Sequence, residues 1–572
     1  MKLRHILALI LALAMIVSFA ACGSTSTDNT DSSSSSTSST NTSTKNEPEK
    51  STDTGLEIVE TENFISREVP RGVVYENTDE TMAAKKTDAK TLVIGGNSSI
   101  VKAEPNTSLY SQSQDSIYNR LIEYNIETGE YEPSLATKWE QIDDTTFEIW
   151  LRDDVYFHYG QKFTADDVIY SLERLKDPNL DPKWFDQFAA IDINNIDVVD
   201  DYHLIYHFNY SWGAFLEYFS CPWGGIMCRE YVTENGEDSF WDAPNGTGPF
   251  IQTEAVSGEK FVMEKNDNYW GECDTGYDTI IYKYYSDTST MFIDFEAGNL
   301  DIIYQVAPED CERILNGDLA NVNLQTVERG APQNLCMYTY GSETGIGDRD
   351  LREALMRSLD TDTITEVCMG ILGIKSSKIS TGSMPYVTDQ PYGYDPDKAK
   401  ELVAQSNYDG SNIIMSTNTT RDHVVFSEII QSMAAEAGIN IEILRGDAAT
   451  HSARGMGINN GGIPENDISL FNVLVISSCP QMMFSQFKTG SGYALGSTQD
   501  EYLNALLTEG EQTADAARVA EIYDEVSQIF YDQVILTPLC DVYEAVAYYD
   551  YVNYWPINWT KHDVFPNITL AV

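Results

Sequence analysis

Pro133-Ser134-Leu135-Ala136-Thr137-Lys138-Trp139-Glu140, then Asp143-Asp144-Thr145-Thr146-Phe147-Glu148-Ile149-Trp150-Leu151-Arg152, is the stretch whose reading decides the fold. Phe147, Ile149 and Leu151 alternate with polar neighbours, the period of a strand with one buried face. Asp153-Asp154-Val155-Tyr156-Phe157-His158 reads as a second strand and Tyr159-Gly160 as its turn. A helix follows. Thr164 is a good N-cap, Asp166 and Asp167 suit the positive end of the dipole, and Val168, Leu172 and Leu175 share a face.

Outward from this segment, strand and helix signals keep alternating. Upstream, Leu92-Val93-Ile94-Gly95-Gly96 reads as a short buried strand ending at glycines. Ile117, Leu121 and Tyr124 are spaced as one face of a helix over 116–124, and Glu127-Thr128-Gly129-Glu130 makes a turn. Downstream, Gly246-Thr247-Gly248-Pro249-Phe250 has glycines that permit backbone angles closed to other residues, and a proline that stiffens the start of a strand. It lacks the Lys-Ser/Thr pair and following helix of a phosphate loop. Helices are expected where Arg352, Ala354, Leu355 and Leu359 share a face, from Pro396 onward, and over 426–437 before Gly438. Ile439-Asn440-Ile441-Glu442-Ile443 returns as strand, and the alternation implies an α/β protein.

These blocks carry a resemblance. The 133–175 segment, Asn245 through Phe250, Glu264-Lys265-Asn266 with Tyr269-Trp270, Asp278-Thr279-Ile280-Ile281, Phe295-Glu296-Ala297-Gly298-Asn299-Leu300-Asp301, and Leu351-Arg352-Glu353-Ala354-Leu355 with Asp360 resemble the extracellular solute-binding proteins of family 5. That family comprises oligopeptide-, dipeptide- and nickel-binding lipoproteins, and the resemblance runs from about Thr91 to Trp559.

The resemblance implies a periplasmic-binding-protein-like type II fold, with two α/β lobes, a hinge and an extra α/β subdomain. The expected division is lobe I at 91–132, the subdomain at 133–244, lobe I again at 245–335, lobe II at 336–530 and the rest of lobe I at 531–572. It implies capture of a peptide-like solute in the interlobe cleft and delivery to the permease of an ABC importer, by a monomer with no cofactor and no catalysis. A receptor for a signalling peptide, a receptor for a non-peptide solute, and a surface enzyme or adhesin reusing the fold are the alternatives. By order along the resemblance, Tyr110, Trp223, Tyr340, Cys479, Met482 and Phe484 fall beside the cleft, with a place in the core as the alternative for each. They are aromatic or soft, a set that favours an apolar or longer peptide, or a non-peptide solute, over a nickel complex. Peptide-binding members carry an Asp-Pro whose acid pairs with the peptide ammonium; here the order gives Ser478-Cys479-Pro480, without the acid.

The N-terminus fits an exported protein. Lys2 and Arg4 precede an apolar run from Ile6 to Phe19, fourteen residues against the ~20 of a membrane span, so 1–21 reads as a signal peptide. Phe19-Ala20-Ala21-Cys22-Gly23 resembles a lipobox, which implies lipidation of Cys22 and anchoring to the membrane. Residues 22–55 form a Ser/Thr-rich tether with little to bury. Residues 56–90 form an N-terminal extension, either packed on the body or more linker.

Composition excludes other classes. Against 89 acidic residues stand 36 basic ones, a net charge of -53, which argues against nucleic acid. The eight cysteines after Cys22 form no Cys-x2-Cys pair, so no metal is expected; Cys221 and Cys228 fit either a disulfide or buried thiols. His203 and His207 have helical zinc spacing but a strand context, which puts the rings about 13 Å apart. Asp143-Asp144, Asp153-Asp154 and Asp166-Asp167 are turn and cap residues by position, and no Gly-x-Ser-x-Gly elbow occurs.

Overall fold

The computed structural model describes residues 57–60, 73–76, 90–97, 102–106, 113–125, 128, 130–180, 188–328, 332–338, 345–379, 387, 389–447, 450–451, 454, 466–472, 480–489, 500–553 and 565–570. All belong to one compact unit, Thr54–Val572. The expected signal run, Cys22 and the whole of the expected tether lie outside the described residues.

A large mixed sheet runs through the molecule. Its strands lie in the order Phe250–Val256, Lys260–Lys265, Thr279–Tyr284, Thr91–Gly96, Ile302–Tyr304, Leu536–Tyr549, Gln333–Met337, Ile468–Asn472, Ile413–Asn418 and Ile441–Gly446. The first five build one lobe, around Leu92, Ile94, Met263 and Ile280. The last four build the other, around Leu335, Leu355, Ile413 and Ile430. Fully burying each such side chain contributes about 1.5–3 kcal/mol.

Leu536–Tyr549 belongs to both lobes. Its Val542 faces Gly373 of the second lobe, while Tyr543 faces Glu328 and Ala547 faces Leu324 of the first. The lobes are therefore two halves of one sheet joined along a single 14-residue strand.

The decisive segment behaves as its pattern requires. Thr146–Leu151 buries Phe147, Ile149 and Leu151 and lies inside a four-stranded antiparallel sheet with Ala136–Gln141, His203–Phe208 and Ile191–Asp200. Helix Ala165–Leu175 covers it, and the Asp167 carboxylate accepts from the Thr164 and Arg229 amides, both at 3.0 Å. This is the extra subdomain.

Two expectations need correction. The helix over 116–124 is a single turn, Gln114–Ile117, followed by a strand, Ile122–Asn125, that pairs with Glu130–Pro133. Ile117 and Leu121 are buried as expected. However, the carbonyls of Ile117, Arg120 and Leu121 accept from the amides of Gly248, Leu135 and Ala136, which replace the bonds a helix would make. The strand expected over 153–158 is reduced to one bridge, Tyr156 with Lys162, because the segment folds on itself around Gly160, whose φ is +96°. The third helix starts earlier than expected, at Arg421, and ends as expected before Gly438, whose φ is +90°.

Other open points are resolved. Cys221 and Cys228 are both buried, and no disulfide joins them. Within the extension, Glu57–Glu60 pairs antiparallel with Val73–Glu76, which lies beside Val322–Glu328. His203 and His207 do lie on a strand, each turned to its own carboxylate: Glu148 at 2.7 Å and Asp197 at 3.1 Å. Among the described residues no group of three or more His, Cys, Asp or Glu is placed to hold a metal, and no helix is long and apolar enough to cross a membrane.

The Gly246-Thr247-Gly248 crossover ties subdomain to lobe. His158 bonds the Gly248 carbonyl through Nε2 at 3.0 Å and accepts from the Gly246 amide at Nδ1 at 3.4 Å. Burial pushes the imidazole from its ordinary 6.5 down to about 4, against the opposite pull of the carbonyls. The unfolded chain therefore takes up a proton first, so this contribution to stability is complete above pH 6.5 and is lost as pH falls through 4. Melting temperature followed from pH 7 to pH 4 should fall less in His158→Gln than in wild type. Parallel curves would show that His158 is not the sensitive group.

Candidate functional site

Parallel α/β sheets place ligands in the crevice beyond the carboxyl ends of their strands, where loops lead into helix N-termini. Both lobes turn that end toward the shared strand. Between them lies a cavity of about 720 Å³, within the roughly 300–1,000 Å³ of small-molecule sites.

The first lobe contributes Asn97, the residue after Thr91–Gly96. It also contributes Ser286 through Ser289, which lead from Thr279–Tyr284 into helix Thr288–Glu296. Gln305 through Glu309 lead from Ile302–Tyr304 into helix Pro308–Leu315. The second lobe contributes Asn418 through Thr420, which lead from Ile413–Asn418 into helix Arg421–Glu436, with Asp422, His423, Phe426, His451 and Leu470. Val542 through Ala545, where the shared strand changes lobes, line it as well.

Local chemistry holds these walls. Asp287 caps its helix by accepting from the Thr290 amide at 2.7 Å, which keeps its carboxyl below the usual range and ionised. The Thr420 amide and hydroxyl donate to Asn418 Oδ1 at 2.9 and 2.6 Å, so Thr420 is spent on the loop and not on capping its helix. His451 is 5% exposed and contacts the Ser416 hydroxyl through Nδ1 and the Leu470 carbonyl through Nε2, both at 2.9 Å. Burial lowers its pKa, so the ring is neutral, with its Nε2 proton on the carbonyl. Gln305 has a φ of +60°, a left-handed conformation uncommon outside glycine, at the point where its strand leaves the sheet for this wall.

Gln333 also lines the cavity, at 3% exposure, and its Nε2 has no hydrogen-bond partner among the described residues. The charged side chains on the walls are Asp287, Glu309, Asp422 and Glu544. Among the described lining residues none is a lysine or arginine.

Of the residues the resemblance put beside the cleft, two do not line this cavity and lie in packed cores. Trp223 is buried in the subdomain core and does not line the cavity; its carbonyl accepts from Asn106 Nδ2 at 2.6 Å. Phe484 is fully buried and stacks on Tyr523 and Phe530, with centroids 5.2 and 5.7 Å away. Both are packing residues, because helices of their own domain enclose them. Met482 lies in helix Pro480–Phe484, but its side chain, like Tyr110, Tyr340 and Cys479, is outside the described residues. Sequence reasoning missed Asp287, Gln333, Asp422, His451 and Glu544. One signal was present: Glu544 lies between Val542-Tyr543 and Ala545-Val546-Ala547 in a largely apolar strand, although Asp541 in the same strand gives the same signal without lining the cavity.

Two α/β lobes joined along one shared strand around a cavity, with an added subdomain, define a type II periplasmic binding protein fold. The chain belongs to the bacterial extracellular solute-binding proteins, family 5, whose profile (middle region) matches residues 130–491. It is therefore a member of a family of substrate-binding transport proteins that work outside the cytoplasm. The di/tripeptide-binding protein 1 of Pseudomonas aeruginosa is 23% identical over 497 residues, 79% of this chain and 87% of that protein. Heme-binding protein A of Haemophilus influenzae is 27% identical over 322 residues, 52% of this chain and 58% of that protein's length. Among solved structures, the ABC-transporter-associated DppA of Helicobacter pylori, in complex with the peptide STSA, superposes with a TM-score of 0.75 at 21% identity, covering 84% of this chain and 98% of that one.

Proposed function

We propose that the protein captures a short peptide-like solute in the cavity between its lobes and delivers it to the permease of an ABC importer, held at the cell surface by a lipid on Cys22. The observation that carries this is the cavity itself, built from the loops of both lobes around the strand they share. Peptide-binding relatives support the class of solute, and the lipobox-like run supports the anchor. On this reading Val542 and Tyr543 form the hinge, and closure of the lobes buries the ligand.

Thermal denaturation of the mature protein with short peptides, sugars and metal chelates tests the reading. A ligand bound only by the folded form contributes about 2.7 kcal/mol at a hundred times its Kd. Peptides should raise the melting temperature, and the best of them should compact the protein in solution scattering. A shift with sugars or chelates and none with peptides would replace the proposed solute. The anchor is tested in cells, where Cys22→Ser should move the protein from the membrane fraction to the soluble one, and continued membrane retention would refute it.

A further inference from the structure

We infer that two glutamines, Gln305 and Gln333, set the specificity of the cavity by reading peptide backbone: Gln333 Nε2 donates to a carbonyl oxygen of the bound peptide, and Gln305 Oε1 accepts from one of its N–H groups. This deepens the proposed function and rests on it.

Each glutamine is marked by its own observations. Gln333 lines the cavity, is only 3% exposed, and its Nε2 has no hydrogen-bond partner among the described residues. A buried donor left unmet is costly, and folded proteins seldom keep one without a use for it. Its place is fixed, because it lies in a strand paired on both sides, opposite Asn472 and opposite Cys540.

Gln305 carries the complementary group. Its Oε1 is buried, lacks a partner among the described residues, and belongs to the wall of the same cavity. Its φ of +60° is one that glycine adopts without strain, so the backbone alone gives no reason for a long side chain there. The next amide, that of Val306, donates to the Ala545 carbonyl at 3.0 Å and holds this turn against the shared strand. Both amides are thus placed by the sheet and unused by it.

One unmet donor and one unmet acceptor on the walls of one cavity describe a ligand that offers both. Every peptide group does so, through its C=O and its N–H. An inorganic cation has no N–H for Gln305 and no oxygen for Gln333. Both glutamines are uncharged, so they recognise backbone whatever side chains the peptide bears.

Calorimetry on the mature protein with tri-alanine, its two single-ester analogues and its two single-alkene analogues tests this. An ester removes one N–H and keeps the carbonyl, and an alkene removes both. One ester should bind wild type about tenfold more weakly than tri-alanine, the effect of leaving a buried acceptor unmet. Gln305→Met should weaken tri-alanine by about the same factor and show no further loss with that ester. In wild type one alkene should bind more weakly than the ester at its position, and in Gln333→Met the two should bind alike. The melting temperature of ligand-free Gln333→Met should hold or rise, because the fold loses a donor it does not use. Equal ester losses in wild type and Gln305→Met overturn the inference while peptide capture stands. So does a Gln333→Met variant that melts lower and binds tri-alanine unchanged, since its amide then serves the fold. Absence of tri-alanine binding overturns the inference as well, and a sugar or chelate bound in its place overturns peptide capture with it.

Discussion

Gly246→Ala should destabilise the protein by about 3 kcal/mol or more, at the upper end of what overpacking a tight site costs. The reason is local and steric. A Cβ on Gly246 would overlap the Ile117 carbonyl oxygen, and one on Gly248 would overlap that of Ser116. The obstacle is backbone, which cannot rotate away as a side chain can. Nor is it free to shift, because the Ile117 carbonyl accepts from the Gly248 amide at 2.8 Å. Gly347→Ala is the matched control, since nothing lies within 4 Å of the added methyl. Urea denaturation should show a large loss of midpoint for Gly246→Ala and almost none for Gly347→Ala. Equal, small losses would mean that the crossover is looser than its geometry.

Arg174→Met should cost about 3–5 kcal/mol, the range for stranding one member of a buried ion pair. Arg174 reaches from the subdomain helix to Glu237, with bonds of 2.7 and 3.0 Å, and its guanidinium lies 3.6 Å from Glu104. Glu104 is only 2% exposed, so without Arg174 its charge loses this guanidinium in a place water barely reaches, though it still accepts from the Asn106 amide at 3.2 Å. Most of the loss should therefore be that residual charge and not the bond itself. Adding Glu104→Gln to Arg174→Met should recover stability. If the double variant is no more stable than the single one, the loss comes mainly from packing against Phe240 and Tyr170, whose rings the guanidinium also covers.

Much of the fold was legible because its signals are local. Phe147, Ile149 and Leu151 alternate whatever lies beyond them, Asp395 and Pro396 start a helix by their own geometry, and Gly438 ends one. The stretch after Ile117 was misread for the opposite reason. Its apolar spacing is the same for a helix and for a chain pinned from outside, and the pinning amides, on Leu135, Ala136 and Gly248, are far away in sequence. The site was less legible still. Family order led to aromatic residues, and Phe484 proved to be packing against Tyr523 and Phe530. The cavity draws instead on small polar residues at strand ends, such as Asn97, Ser286 and Asn418, which resemble any loop until two lobes bring them together.

The strand shared by the lobes has a consequence for biogenesis. Exported chains cross the membrane from the N-terminus onward, and Leu536–Tyr549 follows every other described strand of the large sheet. Until it arrives, Ile302–Tyr304 and Gln333–Met337 each lack a neighbour on the same side, and neither half-sheet is closed. Pairing across so many residues carries a high loop-closure cost and is slow. The polypeptide therefore emerges with two open β edges, the template for aggregation that folded proteins keep covered. The segment from Leu536 onward acts as the closing stitch, and a truncation that removes it should leave an insoluble product and not merely a protein without a hinge.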